Sequence, residues 1–333
     1  MTDAIIAAGQ RIMTGLAGTK IDRGFINAVK QYKIGNYILF SNNIESAAQL
    51  KTLCKELKDI AVSETGHIPF ISADQEGGRV QRLPKNVIDT PSAREIAQSG
   101  NAEEAFLTGK RIGEAMRELG LNYDLAPVVD VVESVCGNPA IGSRSFGTDA
   151  ATVASFVTGM QTGLQEQKVT AAIGHFPGIG STTQSTKNGM ASTDRSAEDF
   201  RANEFAVFQS CIDSGETKMI TVSNMAAPSL TGDNTPCSLS GAVVTDILRN
   251  ELNFRGVIVS GAMNQAAITN YYGADEAAVL ALRAGCDMIY APENFETAYN
   301  GVLEAVQNGT ISEDRVNDSL RRIYRIKYAD KIE

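Results

Sequence analysis

The sequence predicts an α/β fold, a (β/α)8 barrel of the TIM type built as a single domain over residues 1–333, and three observations predict it. Short apolar runs alternate with longer amphipathic stretches along the whole chain. About seven or eight such units fit this length, which suits a closed barrel better than an open doubly wound sheet. No G-x-G-x-x-G follows the first apolar run, which weakens the Rossmann-like alternative.

In chain order, Asn36–Phe40 reads as a strand and Ser46–Val62 as a helix. Ile68–Ala73 is a strand that stops at Asp74, and Ala102–Leu119 is a helix with apolar residues near helical spacing. Leu125–Val132 is an extended run. Thr148–Gln165 is a helix opened by Thr148 and Asp149, whose side chains suit an N-cap. Thr170–Ile173 is a strand, Glu198–Ser214 a helix, Met219–Ser223 a strand, Ser240–Leu252 a helix and Val257–Ser260 a buried strand. Asp275–Ala284 is a helix and Met288–Tyr290 a strand, and two helices near Glu293–Gln307 and Ser312–Tyr328 close the chain. No internal repeat, charge block or Pro-rich linker interrupts this order.

Composition excludes several functions. The formal net charge is −9, so there is no overall cationic excess to release counterions from a nucleic acid. No run approaches the ~18 apolar residues of a membrane span. The N-terminus, MTDAIIAAGQRIMTG, lacks the basic start of a secretory signal. Five cysteines (Cys54, Cys136, Cys211, Cys237, Cys286) form no C-x-x-C pair, so neither a zinc site nor a disulfide framework is expected. A cytoplasmic location is the default expectation. Two histidines, His67 and His175, exclude a His-rich metal centre, and no cofactor is expected. The absence of tryptophan removes the commonest sugar-stacking side chain.

In a barrel, function sits where the strands end. After IPFISA comes Asp74-Gln75-Glu76-Gly77-Gly78-Arg79, and the loop after LAPVVDVV ends in Gly142-Ser143-Arg144-Ser145-Phe146-Gly147. After TAAI comes Gly174-His175-Phe176-Pro177-Gly178-Ile179-Gly180. Asn224 follows MITVS, and Gly261-Ala262-Met263-Asn264 follows VIVS. Polar, glycine-rich loops of this kind build ligand pockets.

These segments together resemble glycoside hydrolase family 3, in particular the single-domain bacterial β-N-acetylglucosaminidases. The resemblance runs in order over nearly the whole chain. It rests on ILFSNNI, Asp74-Gln-Glu-Gly-Gly-Arg-Val-Gln-Arg82, Ala126-Pro-Val-Val-Asp130, Ser143-Arg-Ser-Phe-Gly147, His175-Phe-Pro-Gly178, Gly256-Val-Ile-Val-Ser260 and Ala284-Gly-Cys-Asp287. It implies a barrel and a retaining glycosidase chemistry, in which one carboxylate attacks the anomeric carbon and a second group protonates the leaving oxygen.

The departures fall on that chemistry. The family's aspartate nucleophile directly follows the V-I-x-S strand, and here Gly261 holds that position. The family pattern K-H-F-P-G-H-G followed by D-S-H becomes Gly174, His175, Ile179 and then Ser185-Thr186-Lys187, so Lys187 replaces the histidine acid/base. Ser223 stands for the histidine of an M-T-A-H motif. What remains is part of a sugar subsite. The resemblance makes Asp74 an acceptor for sugar hydroxyls and Arg144 and His175 sugar contacts, with Met263 and Asn264 lining the pocket.

Structural roles compete with these assignments. Asp74 is also suited to capping the Gly77-Gly78 turn, Arg144 to pairing with Asp130 or Glu133, and Glu76 to bracing its own loop. Asp130 is expected to be structural, and the direction of Asp124 is open. Lys187 would donate a proton only with a pKa much lowered by burial, and a solvated loop lysine is the simpler reading. The expectation is a homologue that binds a small carbohydrate ligand without the usual retaining machinery. Its alternatives are a carbohydrate-active enzyme with relocated catalytic groups, and a scaffold for a protein partner.

Overall fold

The structure, a computed structural model, describes residues 3–132, 138 and 140–329. Eight strands all run parallel: β1 (Ile12–Met13), β2 (Asn36–Ile38), β3 (Phe70–Ala73), β4 (Tyr123–Asp124), β5 (Thr170–Phe176), β6 (Met219–Val222), β7 (Val257–Ala262) and β8 (Met288–Tyr290). They pair in sequence from β2 through β8, and β8 returns to β1. Thr14 completes the ring against β2: its N–H donates to the Asn36 carbonyl (3.2 Å) and its carbonyl accepts from the Ile38 N–H (3.0 Å). The barrel expected from the alternation is therefore present, and the open-sheet alternative is excluded.

Both faces of each strand are buried, which is why the runs read as continuous rather than alternating. Residue by residue, however, the strands sort their side chains into two clusters. Met13, Ile38, Phe70, Tyr123, Ala172, Met219, Val257, Val259 and Met288 pack together inside the barrel. Their neighbours Ile12, Tyr37, Ile71, Ala171, Ile220, Ile258 and Ile289 face outward into the helical layer.

The main helices hold their expected places, with Ala102–Leu119 matching its expected limits and the others shifted by a few residues at an end. Caps explain the starts. Ser46 accepts from the Gln49 N–H ahead of helix Ala47–Thr65, and Asp149, not Thr148, caps helix Ala150–Glu166 by accepting from the Thr152 N–H. Between residues 197 and 213 the helix widens to i→i+5 bonding over Arg201–Phe205, and the stretch Ala242–Glu251 has the same character.

Two differences stand out. Strand β1 has two residues, too few to show a period. The expected strand in Leu125–Val132 is displaced, since β4 ends at Asp124 and the run beyond makes only an isolated bridge, Val128 to Gly174. Pro127 has no N–H to give, so a regular ladder cannot continue through it. Among the described residues no helix is long and apolar enough to cross a membrane.

Candidate functional site

A cavity of about 1120 Å³ opens at the ends of the strands. Its wall is built from the loops after β3, β4, β5, β6 and β7, and Tyr290 closes it from β8. The structure brings Asp74, Arg144, His175, Lys187, Gly261 and Asn264 to this one wall. Met263 is a correction: it is buried in the core at 2% exposure, with its N–H on the Tyr290 carbonyl (2.9 Å), and does not line the cavity. Past the register shift between Val259 and Ala262, the side chains of Ala262 and Asn264 face the cavity, and alternation sends Met263 between them to the other side.

The loop after β3 folds back on itself because Gly77 (φ 98°) and Gly78 (φ 56°) take left-handed backbone. A Cβ on Gly78 would sit 2.6 Å from that of Ser92, so the turn is held against the next segment. The return brings Arg82 onto Asp74, with Nη2 to Oδ2 at 3.0 Å, so Asp74 is paired rather than used to cap the turn. The Gln75 side chain fixes this geometry by accepting from the N–H groups of Arg82 (2.9 Å) and Leu83 (3.1 Å). Burial raises the pKa of Asp74, Arg82 opposes the rise, and nearby Glu76 adds to it.

Glu76 does not brace its own loop, and Arg144 does not pair with Asp130. The two pair with each other through a fork, Nε to Oε2 and Nη2 to Oε1, both 2.7 Å. Glu133 and Cys136, considered from the sequence, lie outside the described residues. Burial works against the Arg144 charge, but Glu76, with Asp130 and Asp74 beyond it, outweighs burial and raises the guanidinium pKa. Arg144→Lys keeps the charge and loses the fork. It is expected to cost about 1.5–3 kcal/mol, read as a lower urea midpoint; an unchanged midpoint would mean the fork holds nothing in place.

Asp130 acts through His175. Its Oδ2 meets His175 Nδ1 at 2.8 Å and its Oδ1 accepts the Ile179 N–H at 2.7 Å. With the Asp130 side chain fully buried and His175 on the cavity wall, the imidazole is oriented from behind. Asp124 does not line the cavity. It is fully buried, with Oδ1 accepting from the Gln75 N–H at 2.9 Å, and burial raises its pKa well above the ordinary carboxylate range. Lys187 is exposed at the rim, and no carboxylate partners it among the described residues.

The floor beneath Gly261 was not legible in the sequence. Asn224 donates from Nδ2 to the Ala262 carbonyl (2.7 Å) and to Gln265 Oε1 (3.2 Å), and its Oδ1 accepts from Ser238 Oγ (2.6 Å). A Cβ added at Gly261 would lie 2.6 Å from Asn224 Cγ and 2.8 Å from its Nδ2. Gly174 has a matching neighbour, since a Cβ there would meet Thr221 Oγ1 at 2.7 Å. Both glycines thus stand beside space already filled from the end of β6. Sequence reasoning missed Arg82 and Thr221 as site-shaping groups, and it placed Asn224 at a strand end without its position beside Gly261. The one available signal was the position of Asn224 directly after an apolar run. Among the described residues no group of His, Cys, Asp and Glu could hold a metal ion.

The family described as "Glycosyl hydrolase family 3 N terminal domain" matches residues 8–326. The chain is 31% identical over 307 residues to Beta-hexosaminidase LpqI of Mycobacterium tuberculosis, covering 89% of this chain and 78% of that protein. It is 26% identical over 323 residues to Beta-hexosaminidase A of Pseudoalteromonas piscicida, covering 90% of this chain but spanning only 54% of that relative's length. A glycoside hydrolase family 3 beta-N-acetylglucosaminidase from Paenibacillus sp. str. FPU-7 has a similar structure, with a TM-score of 0.94 and 32% identity, covering 98% of this chain and 62% of that one.

Proposed function

The chain belongs to the glycosyl hydrolase family 3 N-terminal domain family, and within it we propose a carbohydrate-binding, sensing or regulatory homologue that lacks the usual retaining machinery. The observation that carries this reading is Gly261 at the end of β7, with the Asn224 carboxamide occupying the space a side chain there would need. A glycine offers no oxygen for a glycosyl-enzyme bond. Among the described residues the carboxylates lining the cavity are Asp74 and Glu76, and each is committed to an arginine. On this reading Asp74, Arg144, His175 and Asn264 hold the ligand, a small sugar of the class named for the relatives. A cytoplasmic setting is part of the proposal. Cys54, Cys211, Cys237 and Cys286 are buried unpaired thiols, each pushed up to about 12 by burial, and such thiols suit a reducing compartment.

A second reading keeps catalysis with relocated groups, and the His175–Asp130 pair favours it. An imidazole held by a buried carboxylate on a cavity wall is a workable proton carrier. Hydrolysis of aryl β-N-acetylglucosaminide and aryl β-glucoside separates the two readings. An aryl leaving group needs little protonation, so it conceals the loss of an acid worth about 10²–10⁴ in rate, but it does not replace a nucleophile. The expected result is no turnover above buffer. Turnover that disappears in Asp74→Ala would overturn the binding reading and require a relocated nucleophile.

A further inference from the structure

The opposite end of the barrel holds a second cavity, of about 1330 Å³, which shares no lining residue with the first. Its floor includes Pro69, Phe70 and Ile326, and its walls are basic. Ten of the chain's 30 Lys and Arg line it, against one of its 39 Asp and Glu, so this cavity carries a formal +9 and the rest of the chain −18. The fold gathers this charge from distant segments. Lys168, Lys218 and Arg255 come from the positions just ahead of β5, β6 and β7, and others from helices Ala47–Thr65, Ala102–Leu119 and Glu313–Lys327.

Part of this charge is met within the protein: Lys55 pairs with Asp59, Arg322 with Asp287, and Lys327 Nζ is held by Gln10 Oε1 (2.8 Å) and the Gly35 carbonyl (3.0 Å). Lys51, Lys58, Arg117 and Arg325 are exposed to the cavity with no carboxylate partner among the described residues. Lys51, Lys55 and Lys58 share one helix face, where like charges repel, and among the described residues Lys55 is the one of the three with an ion pair, to Asp59. Behind the wall the balance is also positive. Arg322, itself a lining residue, shares the buried Asp287 with Arg249 and Arg315. Arg11, fully buried beside them, has two guanidinium nitrogens with no hydrogen-bond partner. Cations gathered on one wall repel one another, and an anion bound among them would relieve that repulsion.

The geometry points to an anion-binding site at the N-terminal end of the barrel, for a small molecule carrying two or more phosphate groups. Several cations on separate elements call for several anionic groups. The volume exceeds the usual ~300–1,000 Å³ of small-molecule sites, so a lone phosphate would engage only part of the wall. The apolar floor accommodates a carbon skeleton. An extended polyanion is disfavoured, because the −18 on the rest of the chain would repel whatever left the cavity.

Calorimetric titration of the full chain with inorganic tripolyphosphate and with orthophosphate tests this. Saturable tripolyphosphate binding is expected, at least tenfold tighter than orthophosphate and weakened by salt. The Arg117→Gln/Arg325→Gln variant should lose tenfold or more in affinity while keeping its urea midpoint, since both side chains are exposed, and Lys85→Gln, outside the cavity, should bind as the parent does. No saturable binding at low salt, equal affinity for the two anions, undiminished binding by the double variant, or binding of heparin without tripolyphosphate would each overturn the site.

Discussion

Asp287→Ala is expected to cost about 3–5 kcal/mol, a large share of the ~5–15 kcal/mol by which a domain stays folded. Asp287 is fully buried and is the shared anion of three arginines. Its Oδ2 accepts from Arg249 (2.7 Å) and from the β7 N–H of Ile258 (3.0 Å), and its Oδ1 from Arg315 (3.1 Å), Arg322 (3.0 Å) and Ser319 (2.8 Å). One carboxylate thus ties β7 and β8 to two helices, and removing it leaves guanidinium groups facing one another without water. Equilibrium urea unfolding is the measurement, and a midpoint within experimental error of the parent would refute the role.

Asp124→Asn is the matched control, because Asp124 is as deeply buried yet has no cation. Its single hydrogen bond, from the Gln75 N–H, survives in the amide, so a cost of about 1 kcal/mol or less is expected. The two carboxylates also titrate in opposite senses. For Asp287 burial works against the charge, but Arg249, Arg315 and Arg322 outweigh it and lower the folded pKa. Its stabilisation is complete above the unfolded value of about 3.9 and is lost as pH falls through the lower folded value. For Asp124 burial raises the folded pKa, so its contribution is present below the unfolded value and is lost as pH rises through the folded one. Acid unfolding of the parent should therefore reflect Asp287, and the gap between parent and Asp287→Asn should narrow only below about pH 4.

The second large effect concerns Gly261. Gly261→Asp alone is expected to lose about 1–3 kcal/mol and to gain no activity, since its Cβ displaces an Asn224 side chain that is 1% exposed and held by three hydrogen bonds. With Asn224→Ala the obstruction is removed, and the double variant should recover stability relative to the sum of the single changes, a coupling measured directly by the cycle. On the proposed function, the double variant is also the one that should show turnover of an aryl glycoside. A Gly261→Asp variant as stable as the parent would show that Asn224 moves aside without cost, and the claim that the space is filled would fall.

The site was legible where its parts lie next to each other in the chain. Asp74, Arg144, His175, Gly261 and Asn264 could be placed on one wall because each follows an apolar run, and strand ends in a barrel share one face. Met263, a neighbour of two lining residues, failed the same argument because a strand end turns successive side chains to opposite sides. The sequence offered Asp130 or Glu133 as partners of Arg144 and missed Glu76, since nothing in the spacing says which loop leans on which.

The sequence by itself determined the alternation of strands and helices, their order, the cap chemistry at Thr148 and Asp149, the doubled glycine of the loop after β3, and the absence of a carboxylate at Gly261. These are local properties, set by side-chain size, backbone freedom and hydrogen bonding within a few residues. Only the tertiary structure decided that Asn224 stands beside Gly261, that Asp287 gathers three arginines from two helices, and that lysines and arginines scattered from 51 to 327 meet in one basic cavity. The physical reason is that a closed ring of strands brings their starts together at one end and their finishes at the other, so side chains a hundred residues apart become neighbours by register rather than by sequence.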